Sequence, residues 1–189
     1  EPERNKRAGG ALQAGQTDRY WAAWPVAGEA PAGVERAGTP EAADFALTLT
    51  PEGGALHLVP PIGVLGVGCR RGTTAERLEE AFSAFCASSG LSPAAVSAAA
   101  SIDLKKEEPG LAQFCEAHGW PITFYSADQL RAVPGQFTPS AFVAGVTGVD
   151  NVCERAAAKA SGGALLLPKT AGGGVTLALA VRPFAPDWR

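Results

Sequence analysis

The chain has 189 residues, 46% of them apolar, and a formal net charge of −3. That is enough for one domain of ordinary size with an appendage, and the near-neutral charge argues against broad electrostatic binding to nucleic acid or to an anionic membrane. No apolar run approaches the ~18–20 residues that span a bilayer, and the opening EPERNKR lacks the apolar core of a signal peptide, so a cytoplasmic protein with no membrane partner is expected.

The sequence contains no Met, so residue 1 is expected to be a trimmed start within something longer. Residues 1–60 carry 5 Lys/Arg against 8 Asp/Glu, and residues 61–189 carry 11 of each, which puts the whole acidic excess in the first third. Those 60 residues also hold 6 Pro, 8 Gly and 13 Ala, with few large apolar side chains besides Tyr20, Trp21, Trp24 and Phe45. Such a composition favours loops over a self-sufficient core, so 1–60 is expected to be a loosely structured arm and 61–189 the main domain. Within the arm, DFALTLT (44–50) and ALHLVPP (55–61) read as strands, with PEGG between them as a hairpin turn.

From Pro61 the pattern tightens. IGVLGVG (62–68) is a short apolar run of the kind buried in a sheet. Thr73 with Glu76 reads as a capping box opening a helix whose Leu78, Phe82, Phe85 and Cys86 share a face, ended by Gly90. SPAA (92–95) signals a helix start, and the second half of VSAAASI (96–102) reads as a strand. Pro109 suits the first turn of a helix carrying Leu111, Phe114, Cys115 and His118 on one face, and PITFYS (121–126) follows as a strand. Ser126 with Gln129 predicts a second capping box and a short helix to about Val133; Ser140 starts another helical segment. Val149, Val152, Cys153, Ala156, Ala157 and Ala160 line one face of a later helix ended by SGG (161–163). ALLLPK (164–169) and VTLALAV (175–181), joined by TAGGG, are written as an antiparallel hairpin. The alternation predicts an α/β fold, a three-layer α/β/α sandwich on a mixed, mainly parallel sheet with an antiparallel C-terminal hairpin.

Cys69, Cys86, Cys115 and Cys153 form no C-x-x-C pair, and His57 and His118 are the only histidines. This spacing argues against a metal site, and three of the thiols fall on apolar helix faces as core residues.

GVGCRRGT (66–73) looks like a nucleotide-binding turn until its spacing is counted. A dinucleotide fingerprint is G-x-G-x-x-G, whereas Gly66, Gly68 and Gly72 give G-x-G-x-x-x-G, and no G-K-[ST] ending makes it a P-loop. A strand-to-helix turn still aims N–H groups and a helix dipole at the C-terminal edge of a sheet, where anions are favoured. Arg70 and Arg71 add a charge geometry suited to carboxylates. The turn reads as an anion receiver or, alternatively, as a surface arginine pair on a solvated loop.

SIDLKKEEPG (101–110) sets Ser101, Asp103, Lys105, Lys106 and Glu107 within seven residues at the exit of the next strand. If the two strands are neighbours, both clusters share one rim; the plain alternative is a solvated charge run. In GVTGVDNVCE (145–154), Gly148 and Asp150 are expected to begin a long helix reaching the same rim, the glycines permitting close approach to a ligand or a tight bend. Lys169 beside Pro168 is a further candidate or an exposed hairpin lysine. His118 reads as a packing residue, and no nucleophile elbow supports a serine hydrolase.

GVGCRRGT, SIDLKKEEPGL, FYSADQL, GVTGVDNVCERAA and LLLPKT…GVTLALA, in this order over about residues 62–182, resemble the C-terminal domain of the cobalamin-biosynthesis proteins CbiG and CobE. Residues 12–60 are similar to the tail of the CbiG middle region. The resemblance implies corrin-ring assembly. CbiG proteins are cobalt-precorrin-5A hydrolases, classed as carbon–carbon bond hydrolases, which open a δ-lactone on the macrocycle and release the ring-contraction carbon as acetaldehyde. CobE proteins resemble this domain alone, so a non-catalytic corrinoid-binding or carrier role is the alternative. The implied ligand is a corrinoid precursor, with other enzymes of the pathway as partners; no cofactor of the protein's own is expected, because cobalt would arrive within the substrate.

A macrocycle fringed with acetate and propionate groups suits a cationic rim beside an apolar surface. Arg70, Arg71, Lys105 and Lys106 are therefore expected to hold carboxylates, with Thr73, Ser101, Gly148 and Lys169 completing the binding surface. N–H groups after Gly72 or Gly148 are expected to stabilise the lactone oxyanion, and Asp103 or Glu107 to act as general base.

Overall fold

The computed structural model describes residues 17–139, 149 and 151–189, which divide into two units. The first comprises 17–60 with 90–95 and 184–189, and the second 61–89 with 96–183. The helical segment expected from Ser140 and the expected helix start at Gly148 and Asp150 lie outside the described residues. Among the described residues, no helix is long and apolar enough to cross a membrane.

The first unit carries four short strands, β1 (Asp18–Ala22), β2 (Val34–Arg36), β3 (Phe45–Leu47) and β4 (Leu56–Leu58), in the order β2-β1-β3-β4. All three pairings are parallel. The expected 44–61 hairpin is therefore corrected: Phe45 pairs with Leu56 and Leu47 with Leu58, so the chain containing PEGG returns to the starting end of β3. Strands of three residues rise only ~10 Å, a distance that the intervening residues cover without a helix. The composition of 1–60 suggested a loose arm because the apolar partners it needs lie elsewhere in sequence. Trp188 meets the Tyr20 ring edge-on at 4.9 Å, Phe184 meets Trp24 at 5.2 Å, and Leu91 is buried in the same unit. Trp188 N donates to Ala27 O at 3.2 Å and Ala27 N to Pro186 O at 2.9 Å, so the terminal FAPDWR packs as part of this unit.

The second unit is built on β5 (Gly63–Cys69), β6 (Val96–Ile102), β7 (Ile122–Tyr125), β8 (Ala164–Gly172) and β9 (Val175–Val181), in the order β7-β6-β5-β9-β8. β5, β6 and β7 are parallel; β9 pairs antiparallel with both β5 and β8, so it alone runs against the other four. The chain is thus an α/β protein with a mixed sheet and the expected C-terminal hairpin, turned at Gly173 and Gly174, both with positive φ. Pro168 lies on β8, where the ladder register shifts; an edge strand tolerates the missing N–H.

Among the described residues, four α-helices serve this sheet: α1 (Ala75–Ser89), α2 (Pro109–Ala117), α3 (Ala127–Arg131) and α4 (Val152–Ser161). Strand alternation sends Val64, Ala98, Ala100 and Ile102 into one cluster with Leu130, Val149, Val152 and Ala156. Leu65 and Val67 occupy the alternate positions of β5 and are equally buried. α1 buries Leu78, Phe82, Phe85 and Cys86, packs on α2, and touches β8 and β9. The Ser126 capping box forms as expected, with Gln129 N donating to Ser126 Oγ at 3.2 Å and Ser126 N to Gln129 Oε1 at 2.9 Å. The first capping box does not: α1 starts one residue later, and Thr74 Oγ1 accepts from Arg77 N at 3.3 Å while Thr73 Oγ1 donates to Arg70 O at 2.8 Å. α4 is capped by Asn151, whose Oδ1 accepts from Glu154 N at 2.9 Å.

Gly66 explains part of the glycine motif. A Cβ there would overlap the Cys153 carbonyl in the first turn of α4, so the bare backbone is what lets that helix settle on β5. Gly66→Ala is expected to destabilise the fold by about 3 kcal/mol, the upper end of overpacking costs because the obstacle is backbone. Gly172→Ala, with open space around it, should stay within ~0.5 kcal/mol of the parent. Urea midpoints of the two variants check this.

Candidate functional site

β5 and β6 are parallel neighbours, so the loops leaving Cys69 and Ile102 emerge at one edge of the sheet. One side chain ties them together. Glu108 Oε2 accepts from Gly72 N at 2.8 Å, and Glu108 Oε1 accepts from Lys105 Nζ at 3.0 Å. The residue is 7% exposed. It occupies the N-cap position of α2 without capping it, because its carboxylate is spent on the neighbouring loop. Gly72 sits at φ +72 with its N–H turned to that carboxylate. A Cβ at Gly110 would overlap the Thr73 carbonyl, so the start of α2 presses directly on the same turn.

The hydrogen bond from Gly72 holds the Glu108 carboxyl below the ordinary carboxylate range, against the opposing effect of burial and with help from Lys105 and Arg71. Sequence reasoning passed over Glu108, choosing Asp103 and Glu107 instead; the Pro109 that follows it marks it only as a helix-start position. Asp103 and Glu107 are exposed, and neither carboxylate has a hydrogen-bond or ion-pair partner among the described residues.

The turn does receive a carboxylate, then, but an internal one. The Gly72 N–H is occupied by it, and the next, Thr73 N, faces Arg70 O at 3.4 Å. Ser101 is fully buried and donates to Val67 O at 2.7 Å, which makes it a stitch between β5 and β6 rather than a contact for a ligand. Lys105 is committed to Glu108. Arg70, Arg71 and Lys106 are exposed at the edge, and Leu104, 62% exposed, stands among them. Arg70 N donates to Gly174 O at 3.0 Å, and its Cδ lies 3.0 Å from where a Cβ on Gly174 would sit, so the arginine turn and the tip of the β8–β9 hairpin are joined. Arg77, absent from the sequence-derived candidates, lies over Gly173 at that tip.

A second buried carboxylate organises the start of α4. Glu154 has no exposed surface; its Oε2 accepts from Thr138 N at 2.8 Å, and its Oε1 accepts from Thr138 Oγ1 at 2.9 Å and from Lys169 N at 2.6 Å. Asn151 Nδ2 and Lys169 Nζ both donate to Thr138 O, at 2.8 and 3.3 Å. Lys169 is thereby placed beside the start of α4, in contact with Thr138. Gly148 lies outside the described residues.

Burial pushes the thiols of Cys86, Cys115 and Cys153 up to about 11 and raises that of Cys69, so none is a ready nucleophile at neutral pH. His118 stacks on Trp120 at 4.1 Å and its Nε2 lies 2.7 Å from Glu79 Oε2, the packing role expected of it. Among the described residues, no group of three or more His, Cys, Asp or Glu side chains is arranged to hold a metal ion.

Residues 63–180 match the family described as Cobalamin synthesis G C-terminus. The chain belongs to this family. A Cobalt-precorrin-5A hydrolase from Priestia megaterium is 36% identical over 134 residues, covering 70% of this chain but 35% of the relative. The chain therefore spans about a third of the length of that hydrolase. Protein CobE from Sinorhizobium sp is 33% identical over 120 residues, covering 62% of this chain and 78% of the relative. A crystal structure of CobE, a protein from the cobalamin (vitamin B12) biosynthetic pathway, superposes with a TM-score of 0.58 at 35% identity, covering 65% of this chain and 92% of that one. The matched residues fall in the second unit except for 90–95, and the two tied loops lie inside it.

Two stability predictions test the geometry of this domain. Because the folded Glu108 carboxyl is depressed, the stability it contributes is fully present above the ordinary carboxylate pKa of ~4.3 and is lost as pH falls through its lower folded value. Glu108→Gln should cost about 1–3 kcal/mol at neutral pH and flatten the acid side of the curve of stability against pH, as read from urea unfolding. Glu154→Ala strands the Thr138 and Lys169 donors and should cost ~3 kcal/mol or more, with faster hydrogen exchange at the Lys169 amide; Glu154→Gln, which keeps acceptor capacity, should cost less.

Proposed function

We propose that the chain works in cobalamin biosynthesis as the C-terminal part of a cobalt-precorrin-5A hydrolase, taking part in the opening of the macrocycle's δ-lactone and the release of acetaldehyde. The observation that carries this reading is the clamped edge of β5 and β6. Glu108 satisfies the turn from within, so Arg70, Arg71 and Lys106 stand outward on loops that are tied together. Cations on a fixed frame beside an exposed apolar side chain suit a flat, largely apolar ring with carboxylate arms, since little ordering is left to be done on binding. Arg70 and Arg71 present forked donors to carboxylates, Lys106 a point charge, and Leu104 an apolar contact for the ring. Cobalt enters as part of this substrate.

Asp103 or Glu107 would take a proton from water as it attacks the lactone carbonyl. Their exposure favours a second reading for this part of the protein, pigment binding without chemistry, as in a carrier. The same preparation separates the two. Mixed anaerobically with cobalt-precorrin-5A, the chain should shift the pigment spectrum; trapped acetaldehyde supports hydrolysis by this part, and a shift without acetaldehyde supports binding alone. Replacing Arg70, Arg71 and Lys106 together by Gln should weaken pigment binding by at least 10-fold. An unchanged dissociation constant in that variant would remove the clamped edge from the reading. If hydrolysis is found, Asp103→Ala or Glu107→Ala should lower turnover while leaving binding in place.

A further inference from the structure

The second unit contains a cavity that the tied loops do not use. It is a groove of about 320 Å³ between α1 and the β8–β9 hairpin, walled by Ala81, Ala84 and Phe85 on one side and Val175 and Leu177 on the other. Its charged groups, Arg77 and Glu80, lie toward the start of α1, and Ser88 and Thr170 also line it. Arg77 Nη1 and Glu80 Oε2 are 2.6 Å apart. Arg77 crosses the hairpin where Gly173 carries no side chain, and a Cβ at that position would overlap the guanidinium. Arg70 lies along Gly174 next to it. The three glycines at 172–174 thus leave a bare hairpin tip that both arginines share, and the bond from Arg70 N to Gly174 O ties that tip to the Arg70–Arg71 turn.

We propose that this groove is a subsite for one carboxylate-bearing edge of the corrinoid ligand, with Arg77 and Arg70 receiving the carboxylates at its mouth. The inference rests on the proposed function and extends it to a cavity and to a residue outside the tied loops. The size is at the low end for a ligand pocket, so it takes a ring edge and its side arms while the rest of the macrocycle lies across the clamped loops. The chemistry is complementary: apolar walls for the ring, and at the mouth two arginines against the single carboxylate of Glu80. Glu80 pairs with Arg77 Nη1 on the surface of α1.

The test uses the full chain and cobyrinic acid, a corrin with free carboxylates, titrated by absorbance beside its fully esterified form. Arg77→Gln and Ala84→Phe, which removes the charge and fills the groove respectively, should each weaken binding of the free acid about 10-fold. Arg36→Gln, the same charge change on β2 in the other unit, should leave it unaltered. The ester should bind the parent weakly and be insensitive to Arg77→Gln. Full affinity in both groove variants, while the combined Arg70, Arg71 and Lys106 replacement still weakens binding, overturns the groove and leaves the proposed function standing. An ester that binds the parent as tightly as the acid overturns carboxylate recognition at the mouth. No saturable binding by the parent chain overturns both readings together. Equal melting temperatures for parent and variants show that affinity, not folding, is being compared.

Discussion

A carboxylate taken out of water has to be met by donors, and in this domain the place where that requirement is satisfied shapes everything at the edge of the sheet. Glu108 lies between two loops that leave adjacent parallel strands, and it draws the Gly72 N–H from one and the Lys105 ammonium from the other. The turn between β5 and α1 is built to accept an anion, with a glycine at positive φ and arginines beside it. The anion it accepts belongs to its own chain. With the turn filled from inside, Arg70 and Arg71 point their charge outward, and the edge becomes a fixed cationic surface instead of a pair of independent loops.

Glu154 repeats the arrangement at the start of α4, where it gathers Thr138 and the backbone of Lys169. Both carboxylates sit next to contacts that only glycine permits, Gly110 against Thr73 and Gly66 against Cys153. Close approach and buried charge depend on each other here. A helix can bring a glutamate into a dry position only if its backbone can come near the strand, and the glutamate then holds the loop that near approach leaves without other partners. The outcome is a family domain whose loops are internally bonded, with positive charge outside them and an apolar groove alongside.

Much of this was legible in local sequence. Ser126 and Gln129 announce their capping box because both partners lie within one turn; the hairpin from 164 to 181 is announced by its glycines; and the apolar spacing of Leu78, Phe82 and Phe85 marks the buried face of α1. Thr73 and Thr74 carry the same local signal, so the sequence points to Thr73 where the helix uses Thr74. Chain direction in β3 and β4 was not legible either: Gly53 and Gly54 permit a reversal, but β4 lies parallel to β3 on the side away from β1. Glu108 and Glu154 read as two more charges in polar stretches, since the backbone donors that bury them, Gly72 N and Thr138 N, lie 36 and 16 residues away; Lys105, three residues before Glu108, is the one local partner.

The sequence by itself determined the element types of the second unit, the positions of most of its helix ends, the mixed sheet with its reversed hairpin, and the family, because capping, periodicity and turn chemistry act between residues a few positions apart and ordered motifs survive without coordinates. Only the tertiary structure decided which of six neighbouring charged or hydroxyl side chains in SIDLKKEE face solvent, that the carboxylate filling the arginine turn is Glu108, and that Arg77 shares the hairpin tip with Arg70. Those outcomes depend on which backbone N–H groups are left without partners when distant strands are brought side by side, a quantity that exists only in the folded chain.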